Sequence, residues 1–142
     1  MRGMQSFDAI AADLAFLDDW DERYKYIIDL GRALPPYPEA KRDERHKVRG
    51  CASQVWLDLS IEDDALAIAG DSDAHIVKGL VALLIALYQG RRPAEALALD
   101  ARAAFAPLDL DGHLTPQRSN GLAAMIRRVR EMAEAAVRSD VR

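Results

Sequence analysis

Residues 55 to 70, VWLDLSIEDDALAIAG, decide the fold together with the run IVKGLVALLIALY that follows at 76 to 88. In the first segment, apolar and polar residues alternate on both sides of the polar stretch Glu62-Asp63-Asp64. This pattern is typical of two antiparallel strands joined by a turn. The second segment is apolar nearly all round and too short to span a bilayer, so it predicts a buried central helix. A strand hairpin beside a buried helix indicates an α+β fold.

Two helices are predicted before the hairpin from apolar residues at helical spacing. Ser6 can cap the first, because its hydroxyl can accept a hydrogen bond from a free backbone N–H group. The aspartates at positions 18, 19 and 21 break the first run and offer a cap for the second. That second helix must stop at Pro35-Pro36, since proline cannot continue a helix. Residues 35 to 47 are interpreted as a polar surface loop, and residues 46 to 49 allow a short third strand at the sheet edge.

The central helix and the segments after it carry further start and stop signals, mainly capping residues, glycine and proline. The central helix is predicted to have Ser72 or Asp73 as its cap and to end at Gly90. Two short helices are predicted, from Pro93 to about Leu99 and from Ala101 to Leu108. The last long helix is predicted to start at Thr115-Pro116 or at Ser119.

These elements predict a single domain over residues 1 to 142, with an antiparallel sheet of two to three strands packed on one side by helices. Aromatic residues make up only 6% of the chain, which favours helices over an all-β sandwich. The formal net charge of -4 does not indicate nucleic acid or an acidic membrane surface as a partner. The first ten residues show no apolar leader, so we expect a cytoplasmic protein.

The chain has a single cysteine, Cys51, in the segment KVRGCASQVW at residues 47 to 56. It cannot form an internal disulfide, and it suits a reducing compartment. A structural zinc site normally needs four ligands, and the histidines at positions 46, 75 and 113 lie at no recognised spacing, so no metal is expected. A cysteine hydrolase would need a base such as His46, but five residues along a loop define no geometry.

Two local features favour a reactive Cys51 over an inert, buried thiol. Gly50, Ala52 and Ser53 leave the sulfur without large neighbours, as a thiol that must meet another molecule requires. The nearby cations should also favour the thiolate over the thiol by raising the local positive potential. These cations are Arg45, Lys47 and Arg49. The simpler interpretation of the cations is a solvated, charge-rich loop.

Three segments of the chain resemble the SufE family. VRGCASQVWL (48 to 57) is similar to the family's cysteine segment, GDSDAHIVKGLVALL (70 to 84) to its junction between strand and central helix, and HLTPQRSNGLAAMIRRVR (113 to 130) to its C-terminal motif. The three lie in the family's order and spacing, and the resemblance covers roughly residues 6 to 136. It implies the SufE/IscU-like α+β fold.

The resemblance also implies a role in iron–sulfur cluster assembly. SufE-like proteins accept sulfane sulfur from the persulfide of a SufS-like cysteine desulfurase, stimulate that enzyme, and carry the sulfur to a SufB-containing scaffold. Cys51 matches the sulfur-carrying position. The chain would therefore be a sulfurtransferase-like accessory protein with a covalent persulfide rather than a stand-alone enzyme. No cofactor is expected, because the pyridoxal phosphate belongs to the partner desulfurase.

Four residues are predicted to support Cys51, two through the resemblance and two as small neighbours of the thiol. Asp73 and Arg118 lie in matching segments, although a helix cap and a surface ion pair are their simpler interpretations. Gly50 and Ser53 flank the thiol. In the family the resting cysteine loop lies over an apolar hollow that shelters the sulfur from oxidation, and we hypothesise that Gly50 is the hinge on which it swings outward.

Three alternatives stay open. A CsdE-type acceptor would serve a different desulfurase, and one sequence does not decide between the two. A non-covalent activator would stimulate the desulfurase with Cys51 incidental. A peroxide or thiol redox sensor is disfavoured because the chain has no resolving cysteine. The related cluster scaffolds of similar fold bear several cysteine ligands, which this chain lacks.

Overall fold

The computed structural model describes residues 6–110 and 112–140, except for the side chain of residue 140. The long connector between the second helix and the first strand contains a short 3-10 turn at Glu39–Lys41, and a second such turn lies at Ala106–Leu108. In chain order the main elements are α1 (Phe7–Phe16), α2 (Trp20–Arg32), β1 (Val55–Glu62), β2 (Ala65–Ser72), α3 (His75–Tyr88), α4 (Pro93–Ala98), α5 (Ala101–Phe105) and α6 (Pro116–Asp140).

Strands β1 and β2 form the predicted antiparallel hairpin, with Val55 opposite Ser72 and Glu62 opposite Ala65. The turn consists of Asp63 and Asp64, whose φ angles are 53° and 66°. Positive φ at both central residues is the geometry that matches the right-handed twist of paired strands, and aspartate tolerates it better than most residues. Strand β2 continues past Gly70, where the apolar alternation ends, to Ser72.

The third strand allowed at residues 46 to 49 does not form. In the described part of the chain the sheet has two strands, and Lys47 makes only an isolated bridge to Trp56. Two backbone hydrogen bonds accompany that bridge, from the Val48 N–H to Val55 O at 2.8 Å and from the Leu57 N–H to His46 O at 2.9 Å. The pairing ends there because Gly50, with φ of 91°, turns the chain away from β1.

Helix α3 is the centre of the core, as its composition predicts, and nearly all of its residues are buried. Helix α2 crosses it at two glycines, Gly31 and Gly79. A methyl group added at Gly79 would overlap the Ile27 carbonyl and lie 2.5 Å from Ile27 Cγ2, and one added at Gly31 would lie 2.7 Å from the Gly79 nitrogen. The two backbones can approach this closely only because neither glycine has a side chain.

Helices cover one face of the hairpin, and the connector that we interpreted as a surface loop covers the other. Trp56 and Tyr37 are buried there, and the Arg42 guanidinium lies over both rings, 5.2 Å and 5.4 Å from their centres. Arg42 also forms an ion pair with the buried carboxylate of Asp71 at 2.5 Å, and Lys78 pairs with the same carboxylate at 3.2 Å. Charged connector residues therefore close the outer face of the sheet.

Several predicted caps are confirmed, and three candidates are wrong. Ser6 caps α1, Asp19 caps α2, and Thr115 Oγ1 accepts a hydrogen bond from the Arg118 N–H at the start of α6. Ser119 instead lies inside α6, and the cap position of α3 is Ala74, without a side-chain hydrogen bond. None of the helices in the described residues combines the length and apolar character needed to cross a membrane.

Candidate functional site

Cys51 lies in the loop before β1, where its half-buried side chain packs against α6. The thiol donates a hydrogen bond to the Gly121 carbonyl oxygen, with Sγ and O 3.7 Å apart. A methyl group added at Gly121 would lie 3.4 Å from Sγ. Gly121 therefore provides the flat helix surface on which the sulfur rests. Cys51 is also one of the partly buried residues that pack against the hydrophobic core, so this arrangement is a sheltered one.

Gly50 contacts the same helix one turn further on. Its φ of 91° lies in the left-handed region that residues with a side chain rarely adopt. A methyl group added there would lie 3.5 Å from Ala124 Cβ. Positions 121 and 124 are neighbours on one face of a helix, so the loop lies along a strip of small residues. The conformation explains why a glycine precedes Cys51, while its role as a hinge stays a prediction.

Gln54 marks the other end of the loop, and the β2–α3 junction holds it through its backbone. The Gln54 N–H donates to Asp73 Oδ1 at 3.1 Å, and the Gln54 carbonyl accepts from Ser72 Oγ at 2.7 Å and from the Asp73 N–H at 3.3 Å. The capping role considered for Asp73 is therefore wrong, because its carboxylate bonds to the cysteine loop instead of the N-terminus of α3. Of the two predicted supporting residues that lie outside the loop, Asp73 is the one whose side chain bonds to it.

Ser53 and Arg118 are less closely tied to the site. Ser53 is half-buried, and its hydroxyl makes no hydrogen bond to another residue of the described chain. Arg118 is exposed on α6, one turn before Gly121, and its guanidinium pairs with no carboxylate in residues 6–110 or 112–139. The simpler interpretation of Arg118 as part of an ion pair is therefore not seen there.

The electrostatics of Cys51 differ from those expected from the cations around it. Burial raises the pKa of the Cys51 thiol, and no cation offsets that effect. Two of these cations, Arg49 and Lys47, have Glu44 as a partner, at 3.0 Å and 3.9 Å. The prediction that neighbouring cations favour the thiolate is wrong for this conformation, in which burial favours the thiol.

This raised pKa predicts the pH dependence of Cys51 alkylation by iodoacetamide. Only the thiolate reacts, so the rate should rise with pH through a midpoint above that of cysteine in the urea-unfolded chain, whose pKa is about 8.5. The rate near neutral pH should be lower in the folded protein, because desolvation disfavours the charged form. A midpoint at or below that of the unfolded chain would contradict the sheltered position of the sulfur.

No histidine serves as a base for Cys51 in the part of the chain that the structure describes. The His46 ring binds Asp43, with Nδ1 and Oδ1 2.7 Å apart, and His113 stacks on the Trp20 ring at 3.9 Å. The cysteine-hydrolase alternative therefore finds no support. Within the described residues, His, Cys, Asp and Glu side chains form no cluster of three or more that could hold a metal ion.

Sequence reasoning missed three α6 residues that contact the cysteine loop or the segment leading into it: Gly121, Ala124 and Arg128. A lone glycine inside a helical pattern is a sign of close packing, so Gly121 could have been identified. Ala124 and Arg128 carry no such sign. Alanines and arginines are frequent throughout this helix, and only the tertiary structure shows which ones face the loop.

Comparisons with known proteins agree on the family. Residues 8–133 match the family described as SufE, the Fe-S metabolism associated domain. An uncharacterised SufE-like protein of Rhizobium meliloti (strain 1021) is 49% identical over 135 residues, which cover 92% of this chain and 96% of that protein. An uncharacterised SufE-like protein of Rhizobium etli is 50% identical over 135 residues, covering 92% and 91%.

A structural comparison supports the fold. The solution structure of a hypothetical protein from Thermus thermophilus has a TM-score of 0.75 and covers 92% of this chain and 95% of its own, at 20% sequence identity. At that identity the likeness concerns the α+β fold alone. With the match over residues 8–133 and relatives near 50% identity, this chain belongs to the SufE family, whose domain is associated with iron–sulfur metabolism.

Proposed function

We propose that this protein accepts sulfur from a cysteine desulfurase and carries it as a persulfide on Cys51. The observation that carries the proposal is the position of the one cysteine. It lies in a short loop of small residues, and its half-buried sulfur rests against the backbone of a helix rather than inside the core. A thiol in this position is sheltered from oxidants but needs only a displacement of its loop to become accessible.

The proposed transfer is an exchange between sulfur atoms, without any external oxidant or reductant. The Cys51 thiolate attacks the outer sulfur of the persulfide on the desulfurase. A new S–S bond forms to Cys51, and the bond between that outer sulfur and the desulfurase cysteine breaks. The desulfurase sulfur leaves with the electron pair as a thiolate, and the proton lost by Cys51 is available to neutralise it. Such exchange depends on thiolate fraction and access.

The need for a thiolate and the need for access both imply that the loop moves when the partner docks. In the resting conformation the sulfur is half covered by α6, and burial raises the pKa of its thiol. A loop displaced from Gly121 would expose the sulfur to water and to the partner, and this would bring the pKa of the thiol down toward its ordinary value. The desulfurase would thereby be both the donor of sulfur and the trigger for acceptance.

Delivery would use the same exchange between sulfur atoms, now with the Cys51 persulfide as the donor. The recipient would be a SufB-containing scaffold on which clusters are built. Under this proposal the chain needs no cofactor of its own, because the pyridoxal phosphate that cleaves the carbon–sulfur bond belongs to the desulfurase. The absence of a second cysteine from the sequence suits a carrier, since a neighbouring thiol would release the sulfur as hydrogen sulfide. A reducing compartment such as the cytoplasm would keep Cys51 free.

Intact-mass measurement tests the proposal directly. The protein is mixed with a SufS-like desulfurase and free cysteine, and one added sulfur atom is expected, removable by a thiol reductant. Cys51→Ser should show no added sulfur and no stimulation of the desulfurase. Ala52→Ser is the matched control, because it changes the exposed neighbouring residue and should load normally. Absence of the added sulfur in the unchanged protein would refute the proposal.

The half-buried, protonated thiol also fits a second candidate, a non-covalent activator in which Cys51 is incidental. The same experiment separates the two, because an activator keeps its stimulation in Cys51→Ser. Parallel assays with SufS-like and CsdA-like desulfurases then decide which enzyme the protein serves. The partner that it stimulates more strongly at equal concentration distinguishes a SufE-type from a CsdE-type acceptor.

A further inference from the structure

The segment leading into the cysteine loop, residues 45–48, is held on two opposite sides. On one side the His46 carbonyl accepts from the Leu57 N–H and the Val48 N–H donates to the Val55 carbonyl, both in β1. On the other side the carbonyls of Arg45 and Lys47 point toward α6. Alternation from one residue to the next is typical of a β-strand, but here residues 44–46 form a turn and only Lys47 makes a bridge to β1. We call residues 45–48 the stem.

Arg128 supplies both donors on the α6 side. Its Nη2 donates to the Arg45 carbonyl at 2.9 Å and its Nη1 to the Lys47 carbonyl at 3.0 Å. The planar guanidinium presents its N–H groups as a rigid fork, and here two of them meet successive outward carbonyls of the stem. Two donors in this position replace those that a neighbouring strand would offer. Arg128 thus satisfies two backbone carbonyls on the side of the stem that faces away from β1.

The same helix face continues from the stem to the sulfur. Positions 121, 124 and 128 are separated by three and four residues, so they share one face of α6. Arg128 binds the stem, Ala124 faces Gly50, and Gly121 carries the thiol. At Arg128 the helix makes two charge-assisted hydrogen bonds to the stem, whereas at Ala124 and Gly121 small residues contact the loop. Charge-assisted hydrogen bonds are roughly twice as strong as neutral ones, so the stem is the firmly held part.

We infer that Arg128 is a positioning residue for the cysteine loop: it anchors the stem to α6 and thereby confines the outward movement of the loop to residues 49–53. The far end of that segment is held at Gln54 by Ser72 and Asp73. A short segment fixed at both ends presents its thiol in a narrow range of orientations, which lowers the entropy cost of docking. The inference rests on the proposed sulfur transfer for its purpose, but its structural content is tested without a partner.

The test compares Arg128→Ala and Arg128→Lys with Arg127→Ala. Arg127 is the exposed neighbour on α6, so its removal takes away the same charge without touching the stem. In Arg128→Ala, the ratio of the amide hydrogen exchange rate at Leu57 to that at Leu83 in α3 should be at least tenfold higher than in the unchanged protein. Alkylation of Cys51 should be several-fold faster. Arg128→Lys should be intermediate, because one ammonium group lacks the fork that spans both carbonyls. Arg127→Ala should match the unchanged protein.

A sulfur-transfer assay with a desulfurase then links the anchor to function. We expect the concentration of Arg128→Ala needed for half-maximal transfer to rise about fivefold, with the rate at saturation changed less than twofold. Equal acceleration of exchange at Leu57 and Leu83 would overturn the inference, because it would show a general loss of stability. Unchanged exchange at Leu57 would overturn it as well. If no sulfur is transferred by any form while the exchange result holds, the proposed function fails and the anchor stands.

Discussion

Gly79→Ala should destabilise the protein by about 3 kcal/mol, the upper part of the range for overpacked sites. In an isolated helix the same change would be favourable by about 1 kcal/mol, because alanine is the better helix former. The sign is reversed here because the added methyl group would overlap the Ile27 carbonyl on α2, and a backbone atom cannot rotate aside. Helices α2 and α3 would have to separate, which would loosen the centre of the core. Urea unfolding followed by circular dichroism measures the difference.

Gly121→Ala is the matched control for this prediction, since it also adds a methyl group inside a helix. Its nearest neighbour would be Cys51 Sγ at 3.4 Å, and the loop that carries this atom can shift. We expect the free energy of unfolding to stay the same or to rise by up to about 1 kcal/mol, from helix propensity alone. If Gly79→Ala proves no more damaging than Gly121→Ala, the close crossing of α2 and α3 is wrong.

Asp71→Ala is expected to cost about 3 kcal/mol, at the lower end of the range for breaking a buried ion pair. The Asp71 side chain is buried and pairs with Arg42 at 2.5 Å and with Lys78 at 3.2 Å. Removing it leaves Lys78 without this counter-charge and leaves Arg42 with only the exposed carboxylate of Glu39, 3.1 Å away. Both cations are partly exposed, so water offsets some of the loss, and this places the expected cost at the lower end. Urea unfolding at neutral pH measures the cost.

The charge of Asp71 should also make stability depend on pH in a definite direction. Burial by itself would raise the pKa of Asp71, but hydrogen bonds from Arg42, the Ser72 N–H and Lys78 together hold it below the ordinary 3.8. A group whose pKa is lower in the folded state contributes stability above its unfolded pKa and loses it as the pH falls through the folded value. The stability difference between the unchanged protein and Asp71→Asn should therefore shrink as the pH falls below about 4.

Glu62→Gln provides the comparison, because it removes a carboxylate that is exposed at the end of β1. Its effect on unfolding should stay small at neutral and acidic pH, as for most surface substitutions. A pH-independent difference for Asp71→Asn would mean that the ion pairs with Arg42 and Lys78 contribute little. The Asp71 prediction also concerns the site, since the next two residues, Ser72 and Asp73, hold Gln54 at the end of the cysteine loop.

The prediction of secondary structure from sequence succeeded where the signal was local. Alternation over residues 55 to 70 predicted the hairpin, and the apolar run at 76 to 88 predicted a buried helix, because side-chain periods of two and of about 3.6 residues follow directly from strand and helix geometry. The caps at Ser6, Asp19 and Thr115 were found for the same reason. Ser72 and Asp73 misled, because a polar side chain near a helix start can equally bond to a distant loop, here at Gln54. Ser119 misled because the helix already begins at Pro116.

What sequence alone determined about this protein is its order of helices and strands, its one candidate nucleophile and, through three motifs, its family. The environment of that nucleophile instead depends on tertiary contacts. Cys51 rests on Gly121, seventy positions along the chain, and Arg128 is bonded to a stem more than eighty positions away. Arg49 and Lys47, which are near Cys51 in sequence, have Glu44 as a partner. Burial raises the pKa of the Cys51 thiol. Contacts between residues so far apart depend on how the helices pack, which no local pattern encodes.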